Sequence, residues 1–487
     1  MAQFPIINWQ RTEYASDIGT LQSAIMLAQD GLNTQIVLLS DIPLSSTLNV
    51  PHNVTIRLTS NPEGPHAIDA TGHSIRIMDI NTGPDENVDT VVYFGNIILR
   101  GGYADVMSMD YMGGAIFGHG QGNAVIKLEP GAVFENNTAE NGGAIALESG
   151  AVGVFGGHLV NNHGGSNGGA IAVFAGHPVL GAFQMSMDNS LISNNESEAD
   201  GGAIYVASQD DVTISGGTIS NNTAAGYGGG LHVRNLHFNG GAITGNTAGF
   251  GGGGIVLRDV GIITGTAILS NNTAPIGGGL ALGDEPDTQL DIHGDAQIRN
   301  NIAAVDGGGI YLNESQLPLL KISGNVLFTQ NSAARGYALR LPIHDAIYLA
   351  NIHTDRWSAN FIQGYNNYDI RYDGDNPPPP PGCHVDGEQM VDVCLPVTVV
   401  PFANVGNVTS RCCGSAVITR GDDVCPGVPN GTCNFTIRQR VCVKVPVDFG
   451  AVVTPGDPHV LSTDETCDNC PDMRDRDTEM AQAGGDN

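Results

Sequence analysis

The chain has 487 residues, 41% of them hydrophobic, and a formal net charge of −30. Length and apolar content suffice for a buried core, while charge of that sign repels a nucleic-acid backbone or an anionic membrane surface and excludes both as partners. The 67 glycines stand in pairs beside aliphatics without a Gly-X-Y period, which excludes collagen and simple low-complexity readings and points to internal repeats.

At the N-terminus, MAQFPIINWQ has neither a basic nor an apolar leader region, and no later stretch approaches the ~18 apolar residues of a membrane helix, so neither a signal peptide nor a membrane span is expected. The first predicted element is a helix over 16–31. Ile18, Leu21, Ile25 and Ala28 share one face, Asp17 or Ser16 caps the start, and Gly31 ends it. Residues 1–31 are read as an N-terminal cap, and strands near 35–39, 53–58, 74–80 and 90–99 as the beginning of a coil.

From 134 onward an apolar-x-x-Asn phrase recurs, as in FENN, LVNN, ISNN and FTQN. Its last asparagine stands at Asn137, Asn162, Asn195, Asn222, Asn246, Asn272, Asn301 and Asn331, steps of 24 to 33 residues, and a Gly-Gly pair follows in all but the last. Such a step accommodates three short strands and their turns, and each repeat must borrow its neighbour's core. Segments such as AVIKLEPGAVF alternate apolar and polar residues, which is strand periodicity.

The fold expected is all-β: a right-handed parallel β-helix over 32–350, with roughly a dozen rungs at about 4.8 Å each, an N-terminal capping helix and a C-terminal cap over 351–376. Each repeated asparagine tolerates left-handed backbone and stacks its amide into a ladder. The paired glycines supply positive φ or a close backbone passage.

The pentaproline at 377–381 opens a linker, 377–382, in an extended polyproline form. All nine cysteines follow it: Cys383, Cys394, Cys412, Cys413, Cys425, Cys433, Cys442, Cys467 and Cys470. Alternation in NFTIRQRVCVKVPV suggests a small cysteine-rich β-domain over 383–463, and an acidic tail, 464–487, closes the chain. Nine is odd, so internal disulfides leave at least one cysteine for another chain. CDNC at 467–470 has zinc-like spacing but no second close pair.

The GGAI motifs at 113, 142, 168 and 201, with FxxN at 134 and 328, resemble polymorphic outer-membrane protein repeats, which occur in surface proteins with pectin-lyase-like β-helices. The resemblance covers about 90–340 and implies a surface-exposed adhesive or structural rod. The stretch with RCCGSAVITRG and CPGVPNGTCNFTI is similar to cysteine-rich spore-surface proteins of Firmicutes.

Because pectin-lyase-like folds include polysaccharide-cleaving enzymes, the carboxylates and bases are the residues such chemistry would use. Glu140, Asp200 and Asp306 stand at turns beside glycines, Arg234, Arg258 and Arg299 read as solvated strand residues, and His119, His158, His163, His177, His232 and His237 show no ligand spacing. No catalytic, cofactor or metal residue is assigned, and the expectation is a non-enzymatic structural surface protein of a spore or cell, cross-linked to itself or to another surface protein. A carbohydrate- or cell-binding adhesin, touching partners through loops 177–191 and 281–292, is the alternative, and a polysaccharide-degrading enzyme the second.

Overall fold

In the computed structural model, residues 3–104, 111–322, 325–335 and 368–371 are described, together with four short strands beyond 410. The chain divides into two compact units, Met1–Asn376 and Pro377–Asn487.

The first unit is a parallel β-helix. One file of hydrogen-bonded strands runs through Arg11–Ala15, Thr34–Leu38, Thr55–Ser60, Asp89–Gly95, Asn123–Leu128, Gly150–Phe155, Phe183–Ser186, Asp211–Ser220, Leu231–Thr244, Ile255–Ile263, Gln289–Ile292 and Leu320–Ile322, twelve strands in all. Eleven steps of about 4.8 Å make this file roughly 53 Å long. Two further files join it in a 29-stranded sheet, and eight two- to five-residue strands from Thr138–Ala139 to Ser332–Ala333 form a separate sheet at the fourth corner.

Pattern dictates which side chains enter the core. In one of these further files the second residue after each glycine pair points inward, and Ile116, Ile145, Ile171, Ile204, Leu231, Ile255, Leu280 and Ile310 pair in register as one buried column. A second column runs through Leu99, Phe134, Leu159, Ile192, Ile219, Ile243, Leu269, Ile298 and Phe328. Like residues stack on like, so one short motif repeated fills the core without a new packing solution at each rung.

The helix Ile18–Leu27 buries Leu21, Ala24 and Ile25 against the end of this core. Asp17 is its N-cap, accepting from Thr20 N while the Thr20 hydroxyl accepts from the Asp17 N–H, a reciprocal box. A 3₁₀ turn, Ala28–Asp30, follows and ends at Gly31 with φ 86°. The expected cap over 1–31 needs two corrections. Arg11–Ala15 is itself the first coil strand, in parallel register with Thr34–Leu38. Only Ala15 of RTEYA is buried, so the segment carries almost no apolar alternation to betray it.

Residues ahead of that strand lie along the side of the coil instead of over its end. Phe4, Ile7 and Trp9 pack on Tyr93, Val125, Ala151 and Leu180, outward residues of the first file and a neighbouring loop, and the Tyr93 hydroxyl donates to Pro5 O at 2.7 Å. At the far end the coil extends into the stretch expected to be a separate cap, because Ile370 bridges Ile310 and Ile310 N donates to Asp369 O at 2.7 Å.

In the second unit Arg411–Cys412 pairs antiparallel with Val441–Cys442, and Val417–Thr419 with Thr436–Arg438. Cys412 and Cys442 lie on these strands. Cys383, Cys394, Cys413, Cys425, Cys433, Cys467 and Cys470, the linker 377–382 and the tail 464–487 lie outside the described residues.

Candidate functional site on the outer face of the coil

The repeated asparagines are a buried spine. Asn137 Nδ2 donates to Asn162 Oδ1 at 3.0 Å, and the relay continues through Asn195, Asn222, Asn246, Asn272 and Asn301 to Asn331 at 2.9 to 3.0 Å. Each acceptor oxygen also takes the backbone N–H of the previous asparagine, as Asn222 Oδ1 does from Asn195 N at 2.9 Å. The file ends on Asp369, whose Oδ1 accepts from Asn331 Nδ2 at 2.8 Å. Left-handed backbone belongs to the preceding residue, not to the ladder residue. Asn136, Asn161, Asn194, Asn221, Asn271 and Asn300 have φ of 55° to 56°, with Gly245 at 69° and Gln330 at 57° taking the same place elsewhere.

The glycine pairs divide two duties. Gly142 has φ 63°, whereas a Cβ on Gly143 would stand 2.3 Å from Gly169 O of the next coil. The first glycine makes the turn and the second admits the neighbouring backbone. Asparagines and glycines are therefore spent on folding, and functional chemistry must be sought on outward-facing residues.

There the fold assembles residues that stand far apart in sequence. Tyr205 and His232 are register partners on adjacent coils, with ring centroids 5.3 Å apart and edge to face. His232 is 8% exposed, and its Nδ1 lies 3.1 Å from Asp200 Oδ2. That contact is close but outside hydrogen-bond angles, so His232 Nδ1 and Nε2 are both buried without a hydrogen-bond partner. Asp200 Oδ1 accepts from Tyr227 N at 2.8 Å. Burial pushes the Asp200 carboxyl up, and its contacts with His232, Tyr227 N–H and the more distant Arg258 outweigh that and hold it below the usual carboxylate range. Tyr205 is raised by burial, with Asp200 adding to the effect.

Arg258 donates through Nε to Glu285 Oε1 at 2.8 Å and through Nη2 to the same oxygen, while Glu285 Oε2 is buried without a partner. Arg234 is held by both oxygens of Asp259, at 2.8 and 3.1 Å. The reading of Arg234 and Arg258 as solvated strand residues is thus corrected: both are half-buried members of coil-to-coil ion pairs. Arg299 Nε donates to Gln297 Oε1 at 3.1 Å. Loop 281–292, expected to be a free contact loop, supplies Glu285 to this network, and its Thr288 hydroxyl donates to Arg258 O at 2.8 Å.

The other sequence candidates are scattered. His119 meets Asp79 at 3.0 Å, His158 meets Asn189 O at 3.0 Å, His163 lies 3.5 Å from Glu198, and His237 lies 3.9 Å from Asp211. His177 accepts from Val179 N and Leu180 N through Nδ1 and meets Asp89 through Nε2 at 3.1 Å, folding its loop back on the coil. Glu140 stays at its turn, whereas Asp306, expected at a turn, ends the strand Ile302–Asp306 in register with Ile276, with Arg335 3.5 Å from it. Among the described residues no group of three or more His, Cys, Asp and Glu is placed to hold a metal ion.

One feature had no signal in the repeat. Tyr227 and Phe250 occupy adjacent coils just ahead of their glycine runs, with 44% and 60% exposure and ring centroids 5.5 Å apart at a 34° tilt. Aligning the repeats puts Tyr227 in the place of Asn141, Asn167 and Asp200 and Phe250 one position earlier, in the place of Glu140, Ser166 and Ala199, with Gly251 as the bridge partner of Tyr227.

These observations define a class: a parallel β-helix repeat protein whose motif residues build the coil and whose variable residues face outward. Residues 178–341 match the family model described as the right-handed β-helix region, and 131–148, which contain FENNTAENGGAI, match the Chlamydia polymorphic membrane protein repeat. Over those residues the chain is similar to right-handed β-helix proteins and to polymorphic membrane protein repeats. No curated protein and no solved structure matches it. Among the described residues no helix is long and apolar enough to cross a membrane, which leaves strand-built membrane barrels unaddressed.

Proposed function

We propose that the chain is a non-enzymatic structural component of a spore or cell surface, a β-helix rod displayed or cross-linked through its cysteine-rich C-terminal module. One observation carries this reading. All nine cysteines fall in the unit that begins at Pro377, while the preceding unit is held by repeated hydrogen-bond files and contains none. A cysteine-free rod joined to a cysteine-dense module separates the displayed part from the attaching part. An odd number of cysteines favours a bond to another chain.

The full chain is expected to form disulfide-linked multimers after air oxidation, visible on non-reducing electrophoresis and collapsed by reductant. A variant with every cysteine replaced by serine stays monomeric. Monomers from the oxidised wild-type chain at every protein concentration would overturn the cross-linking role. A second reading, a carbohydrate-binding adhesin, is favoured by the exposed Tyr227–Phe250 pair, which the core does not use.

A further inference from the structure

We propose that the corner formed by Tyr227, Phe250 and Asp200, with the Arg258–Glu285 pair beside it, binds a neutral polyhydroxylated chain: a glycan without carboxylate or sulfate groups. The inference deepens the adhesive reading and rests on it.

The two rings come first. The largest aromatics of the coil, such as Phe94, Phe134, Phe183, Phe238 and Phe328, are fully buried, whereas Tyr227 and Phe250 are exposed as a tilted pair in contact. Glycines let the coils close up beneath them: a Cβ on Gly249 would stand 2.1 Å from Ala225 O of the Tyr227 coil, and one on Gly226 2.4 Å from Asp200 Oδ1 of the coil before it. Such a pair, its rings 44% and 60% exposed, offers an open π-face to the C–H face of a sugar ring and leaves the sugar's hydroxyls for polar neighbours.

Polar neighbours are present on both sides. Thr223, Thr247 and Thr273 stand in register on successive coils of the adjacent short sheet, the first two exposed. Asp200 links the rings to the other side, through the backbone of Tyr227 and the ring of His232. Beyond it lies the Arg258–Glu285 pair, with side chains 39% and 29% exposed.

The ligand class follows from the signs of these groups. A polyanion would meet Asp200 and Glu285 on a chain of net charge −30. A simple cation would meet Arg258. Hydroxyl groups both donate and accept, and so serve carboxylate, guanidinium and threonine alike.

Affinity electrophoresis of the full chain tests this, with hydroxyethylcellulose, xylan or dextran in the gel, and polygalacturonate as the anionic comparison. Retardation by at least one neutral polymer is expected, and the double variant Tyr227→Ala, Phe250→Ala should weaken it about tenfold, the loss typical of truncating an exposed aromatic anchor. Tyr14→Ala, an equally exposed ring on the first coil strand, should leave retardation unchanged. Thermal melting checks that the variants fold. If polygalacturonate retards the wild type more than any neutral polymer, the neutral ligand class fails and the adhesive reading stands; if no polymer retards it, both fail. If neutral polymers retard wild type and double variant equally, only this corner fails.

Discussion

Each Asn-Asn doublet separates two tasks that a single asparagine cannot perform together. The first residue turns the backbone through left-handed space, where a short polar side chain costs little, and the second keeps ordinary backbone and sends its amide into the core. Replacing the two should therefore differ greatly. Asn222→Ala strands the Nδ2 and N–H of Asn195 and the carbonyl of Ile192, all buried, and should cost about 3 kcal/mol or more. Asn221→Ala meets only the left-handed penalty of about 1 kcal/mol, and Asn221→Gly should be near neutral. Urea unfolding followed by circular dichroism ranks the three variants, and equal midpoints for Asn222→Ala and Asn221→Ala would show that the spine contributes no special stability.

Elements are joined across coils by histidine–carboxylate contacts as well as by strand pairing. His119 is held above the ordinary histidine value by its hydrogen bond to Asp79, burial opposing and nearby carboxylates assisting. Its contribution is therefore fully present below the unfolded histidine pKa, about 6.5, and is lost as pH rises through the higher folded value. Asp89 is lowered chiefly by its hydrogen bond to His177, and Asp200 lies below its usual range as described. Their contributions are present above the unfolded aspartate pKa, about 3.9, and disappear as pH falls through the lower folded values. Melting temperature should accordingly be highest between about pH 4 and pH 6.5, and His119→Gln should flatten the decline on the alkaline side. A profile for that variant superimposable on wild type would remove His119 from the explanation.

Across the coil, stability is a sum of neighbouring rungs, so its ends should open before its middle. Asp369 occupies the last place of the spine and accepts from Asn331, while residues 368–371 pair with the strand at Ile310. Hydrogen exchange should be slowest at the backbone amides of Asn195, Asn222 and Asn246 and faster at Asn301 and Ser332. Asp369→Ala removes the terminal acceptor and should accelerate exchange over 298–333 without changing it over 137–222, whereas Asp369→Asn should largely retain protection. Uniform acceleration along the chain would mean that the coil unfolds as one unit instead.

Fold class was legible in the primary structure because a solenoid writes its geometry as periodicity. Asparagine steps of one coil's length, glycine pairs at a constant interval and a following aliphatic repeat a local packing solution, and local solutions can be read from adjacent residues. The capping helix was legible for the same reason, since Asp17, Leu21, Ile25 and Gly31 lie within four turns of one another. Arg11–Ala15 was not, because its strand character comes from pairing with Thr34–Leu38 and not from its own side chains. Asp369 was invisible as a spine residue, being an aspartate outside the motif that only its neighbour Asn331 defines. The outer corner is the clearest case. Asp200, Tyr227 and Phe250, like His232, Arg258 and Glu285, follow one another at about one coil's length, a step they share with every other residue of the repeat and which therefore does not single them out. They are brought together because parallel stacking places residues one coil apart side by side, a distance in sequence that depends on every loop between them.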